Sequence, residues 1–105
     1  MVKPLRHVLH VADLSPHEAA ELGPLLQRVS AAVTQLCAPQ QVYVCLWSHG
    51  PCHIHFVVQP VDAGLMRELD AHGPLLQQRM FERGAAPDPA AVEAFAATAR
   101  TILTG

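Results

Sequence analysis

From Val29 to Val61 the chain carries no Lys, Arg, Asp or Glu. A run of that length without formal charge has to be buried or paired, so it is where the core is expected. Two interruptions divide it, Pro39-Gln40-Gln41 and Ser48-His49-Gly50-Pro51. The stretch therefore reads as a helix end, a strand, a turn and a second strand, with no segment left to span a bilayer. The whole chain has 105 residues, enough for one domain that hides roughly two thirds of its surface and too few for two independent cores. With half of its residues apolar and 15% charged, it can offset the entropy of ordering. A formal charge of −2 provides no cationic face for a phosphate backbone and argues against nucleic acid as a partner.

Helix signals flank the uncharged stretch. Ser15, Pro16 and Glu18 form a capping-box start, after which Leu22, Leu25, Leu26, Val29, Val33 and Leu36 recur at helical spacing. Pro24 lies inside this pattern and cannot donate to the carbonyl of Ala20, which predicts a kink or an irregular first turn. Val42–Trp47 and His53–Val58 read as strands of a hairpin joined by a short loop, with Pro60 ending the second strand or lying on an edge. Period two puts His53, His55 and Val57 on one face. Asp62 to Asp70 is expected to be a short helix. Gly73-Pro74 starts another that Gly84 stops, and Asp88-Pro89 opens a last one through about Leu103. Blocks of helix and strand in this order give an α+β domain over residues 1–105, helices packed on a small antiparallel sheet. A two-stranded hairpin is marginal in water, so a further strand from Leu5–Val11 or a second copy of the chain is expected.

The first residues, Met1 to Arg6, lack the apolar core of a secretory signal, which predicts a cytoplasmic protein. Cys37, Cys45 and Cys52 are odd in number and lack CxxC spacing, so they read as buried thiols. The seven histidines are the unusual component, two of them in Cys52-His53-Ile54-His55. Directly after a Gly-Pro turn and inside the uncharged stretch, that pair is the candidate site. Cys52, His53, His55 and the nearby His49 also suit Zn²⁺ or Ni²⁺. Against a metal, neighbouring Cys52 and His53 would point to opposite faces of a strand, and no carboxylate is near.

His53-Ile54-His55-Phe56-Val57-Val58-Gln59-Pro60 resembles the histidine-triad motif, in which His alternates with apolar residues before a proline. Arg6-His7-Val8, Ala12-Asp13-Leu14-Ser15, Glu18 and Glu21-Leu22 resemble the segment that leads into the long helix of that superfamily. Tyr43-Val44 resembles the strand before the motif, and Gly73, Met80-Phe81, Gly84 and Pro87-Asp88-Pro89 resemble its C-terminal part, so the similarity covers residues 5 to 103. It implies a histidine-triad-like fold and an attack on the α-phosphorus of a nucleotide, with His55 as nucleophile and His53 orienting it or touching phosphate. The turn from Ser48 to Cys52 is then expected to cradle the anion. His49 stands at the rim, Gln59 offers a donor, and Trp47 is either core or a stacking platform for a base. The partner implied is a nucleotide or another phosphate-bearing small molecule, with no cofactor, and the assembly a homodimer. The chain departs from the motif at Val57, which occupies the third histidine's position and cannot transfer a proton. It also begins where the superfamily's first strands would already be complete. A nucleotide-binding or dimeric interaction module without turnover is the alternative from another class.

Overall fold

The computed structural model describes residues 1–105. After a 3-10 turn at Val11–Asp13, helix α1 spans Pro16–Cys37. Its start is the expected capping box: the Glu18 N–H donates to Ser15 Oγ at 3.1 Å, and the Ser15 N–H donates to Glu18 Oε1 at 2.7 Å. Pro24, where a kink or an irregular first turn is expected, lies inside α1, which is continuous from Pro16 to Cys37. Ala20 and Pro24 are both exposed, so the carbonyl that Pro24 leaves unpartnered faces water. Leu22, Leu26, Val29, Ala32, Val33 and Leu36 turn inward and hold the helix by packing. Ala38, in the left-handed conformation at φ 45°, ends it by donating to the carbonyl of Thr34.

Strand β1 covers Gln41–Cys45 and strand β2 covers Val57–Val61, pairing antiparallel from Gln41 opposite Val61 to Cys45 opposite Val57. The second strand thus begins four residues later than the hydrophobic pattern predicts and includes Pro60. His53 and His55 precede it in an extended segment, and a longer connection replaces the short hairpin loop. Hydrogen bonding accounts for the shift. The N–H groups of Ile54 and Phe56 donate to Val8 O at 2.9 Å and Val2 O at 2.7 Å, and the Val2 N–H donates back to Phe56 O at 2.8 Å. Even-numbered residues therefore turn their N–H away from β1, and Pro60, next in that series, sits where no donor is needed. The strand expected at Leu5–Val11 is reduced to one bridge between Val2 and Phe56.

Helices α2 (Ala63–Leu69), α3 (Gly73–Arg83) and α4 (Pro89–Thr104) complete an α+β fold of four helices and one two-stranded antiparallel sheet. Asp62 caps α2 by accepting from the Leu65 N–H at 2.6 Å. Gly84, at φ 61°, ends α3. Helix α1 packs on both strands and on α4, where Arg28 reaches the carbonyl of Leu103. On the opposite face of the sheet, the Gly73 N–H donates to the Tyr43 hydroxyl at 3.0 Å and ties α3 to β1.

Only Val8, Ala32, Val33, Ile54, Val61 and Leu76 are buried. The surface of 7348 Å² exceeds the about 5,700 Å² expected of a folded monomer of 11.3 kDa. The radius of gyration, 15.0 Å, likewise exceeds the roughly 13 Å of a compact domain this long. Part of the excess lies along β1. Its outward edge at Val42 and Val44 has no strand beside it, Val44 is 44% exposed, and no charged residue or proline blunts it.

Candidate functional site

Odd-numbered positions of β1 and β2 face α3, and between them opens a cavity of about 980 Å³. Trp47, His55, Val57 and Gln59 line it from the sheet side, and Gln77, Met80 and Phe81 from α3. Its floor is a chain of hydrogen bonds. The Trp47 indole N–H donates to Gln77 Oε1 at 2.8 Å. Gln77 Nε2 donates to Gln59 Oε1 at 3.1 Å and to Cys45 Sγ at 3.4 Å. Gln59 Nε2 donates to Met80 Sδ at 2.8 Å. Both amides are thereby fixed in orientation, because reversing either would set donor against donor.

The half-buried His55 reaches the cavity wall with a defined tautomer. Its Nδ1 lies 3.2 Å from the main-chain oxygen of His53. A carbonyl only accepts, so Nδ1 carries the proton and Nε2 keeps its lone pair. His53 is placed differently. The Val8 N–H donates to its Nδ1 at 3.0 Å, which leaves Nε2 protonated to donate to Pro4 O at 2.9 Å. The ring also stacks on His7, with centroids 5.2 Å apart and planes 19° from parallel.

Of the two imidazoles expected to share one opening, only His55 lines the cavity; the ring of His53 is taken up by Val8 and Pro4 and clamps the N-terminal segment. Of the other sequence-derived candidates, Trp47 and Gln59 line the cavity. Ser48 instead closes its own loop through its hydroxyl to Cys52 O at 3.4 Å, and His49 is exposed on that loop; neither contributes to the cavity wall. Val57 does line it and offers no proton.

The α3 residues were missed as site residues, since Leu75, Leu76, Met80 and Phe81 read simply as a helix's apolar side. Adjacent residues about 100° apart around a helix can both face a core, so the pair Met80-Phe81 gave no signal of its own. Leu76 is buried, whereas Phe81 is 90% exposed.

No Lys or Arg lines the cavity, and Glu82 is its single carboxylate. The nearby cations are engaged elsewhere: Arg79 with the carbonyls of Leu69 and Asp70, Arg83 with Glu68 at 2.6 Å. Arg6 pairs with Glu18 at 2.7 Å on the far side of the molecule. There the Arg6 hydrogen bond, seconded by the Ser15 N–H, lowers the Glu18 carboxyl to a pKa of about 2. No three His, Cys, Asp or Glu side chains converge to hold a metal ion. All three cysteines are free, and Cys37 and Cys52 are exposed where burial was expected. No helix is long and apolar enough to cross a membrane. No family model and no curated protein matches the chain.

Proposed function

We propose that this protein is a cytoplasmic nucleotidyl hydrolase or transferase of histidine-triad type, with His55 as its nucleophile. The observation that carries the reading is the hydrogen bond from His55 Nδ1 to the carbonyl of His53. It reserves the Nε2 lone pair for the cavity. It also supplies an acceptor for the Nδ1 proton when Nε2 bonds to phosphorus and the ring becomes cationic. In the first step Nε2 attacks phosphorus, the bond from phosphorus to the leaving oxygen or nitrogen breaks, and the leaving group departs with the electron pair. Water, or a second acceptor, then displaces the imidazole from phosphorus, giving up its proton and restoring His55. Val57 cannot protonate the leaving group, so solvent does, and substrates with good leaving groups are favoured. The free thiols suit the reducing compartment.

A homodimer goes with this reading. The surplus surface is larger than the roughly 800 Å² per partner of a standard interface, and the uncharged outer edge of β1 can pair antiparallel with its own copy about a two-fold axis.

The test is release of nucleoside monophosphate from a nucleoside phosphoramidate or a nucleoside 5′-(4-nitrophenyl) phosphate, with a His55→Asn control. Turnover that disappears in the variant supports the mechanism. Binding of the nucleotide without turnover in the wild type supports the second reading, a nucleotide-binding module, which Val57 and the engaged ring of His53 favour.

A further inference from the structure

We infer that Trp47 and Phe81 form a seat for an uncharged planar ring, a nucleobase if His55 acts on nucleotides, and that the cavity selects ligands with little negative charge. For the identity of the ring this rests on the proposed function, but the seat is argued from its own geometry.

Trp47 is 61% exposed and Phe81 is 90% exposed, and both line the cavity that His55 lines, one from the chain following β1 and one from α3. Large aromatic faces left in water carry a standing hydrophobic cost that a stacked ring removes. The indole of Trp47 is held in place as well: its N–H is fixed by Gln77 Oε1, and Gln77 is fixed in turn by Gln59 and Cys45. An aromatic surface ordered before the ligand arrives loses little entropy on stacking. Gln77 is a positioning residue here, since it acts through the indole.

The charge inventory narrows the ligand. Lys and Arg are absent from the lining, and Glu82 contributes a negative group. A polyphosphate chain would bring several negative charges to a site whose one potential cation is His55. A nucleoside, or a nucleoside with one singly charged phosphoryl group, avoids that conflict.

Trp47 is the sole tryptophan of the chain, so quenching of its fluorescence reports the seat directly. The titrants are adenosine, the methyl phosphodiester of AMP, which carries a single charge, ATP and ribose 5-phosphate. Adenosine is expected to quench, the methyl ester to bind within about threefold of it, and ATP to bind at least about tenfold more weakly; ribose 5-phosphate is expected to leave the signal unchanged. Phe81→Ala should weaken adenosine about tenfold or more, with recovery in Phe81→Tyr; at 90% exposure neither change threatens the fold. Gln77→Leu should weaken adenosine while Phe81 still contributes. Absence of quenching by adenosine, tightest binding by ATP, or an unchanged Phe81→Ala variant would overturn the inference. The two proposals fail separately. Turnover dependent on His55 without adenosine quenching removes the ring seat and leaves the nucleophile, whereas adenosine quenching with no turnover removes the nucleophile and leaves the seat.

Discussion

His55 takes its tautomer from His53: the ring of the first donates through Nδ1 to the main-chain carbonyl of the second at 3.2 Å. The ring of His53 is meanwhile held at both nitrogens by the backbone of Val8 and Pro4. The two histidines form a relay of position in which the first anchors the segment and the second is presented to the cavity.

Removing the anchor should cost stability at a defined place. His53→Ala leaves the N–H of Val8, a residue 2% exposed, without its acceptor, at an expected loss of about 1–3 kcal/mol. Urea unfolding measures the loss, and hydrogen exchange locates it. Faster exchange at Val2, Val8, Ile54 and Phe56, with α1 still protected, is the expected pattern. A uniform change across all helices would contradict the anchoring role.

Acid should weaken the fold through Glu18. Its carboxyl falls to about 2 in the folded protein, from the ordinary glutamate value of 4.5, because Arg6 and the Ser15 N–H both bond the charged form. The stabilisation is therefore complete above the unfolded value and is lost as pH falls from about 4.5 towards 2. Glu18→Gln keeps a capping-box side chain but has no charge to titrate. Urea midpoints of wild type and variant should converge as pH drops through that window; a constant gap would mean that the Arg6 pairing contributes nothing.

Under the proposed mechanism, Val57→His restores a proton donor beside the reacting phosphorus. The expected result is an increase of about 10²–10⁴-fold for substrates with basic leaving groups and little change for 4-nitrophenol. The check is the dependence of rate on leaving-group pKa across a phenol series, which should flatten in the variant. An equal slope in both proteins would mean that proton transfer does not limit the wild-type reaction.

The open edge of β1 predicts a dissociable dimer. Sedimentation equilibrium should give twice the chain mass of 11.3 kDa, and Val44→Lys should shift the protein towards monomer by placing a charge on the pairing edge. Val44 is already 44% exposed, so the substitution spares the core. A wild type that sediments as a monomer at high concentration would falsify the assembly.

Local rules that act within a few residues could be read from the chain. The Ser15–Glu18 capping box, the Asp88 cap and the Gly84 stop all appear where the residues place them. Strand boundaries were less legible. The apolar pattern places His53–Val58 on a strand, but pairing begins at Val57 because β1 ends opposite it. The preceding residues bond instead to Val2 and Val8, across a sequence separation that periodicity does not address. The same long-range contact turned His53 out of the candidate site, while Trp47, His55 and Gln59 remained in it. Gln77 and Phe81 were hidden because a helix's apolar residues carry no mark of which cavity they border.

The hydrogen bonds that hold His53 use only main-chain atoms, the oxygen of Pro4 and the nitrogen of Val8. Side chains around Lys3 to Leu5 can consequently drift through evolution without disturbing those bonds, while position 53 needs a side chain that accepts at one point and donates at the other. Selection on this N-terminal stretch should thus preserve a path of the backbone more than a string of letters.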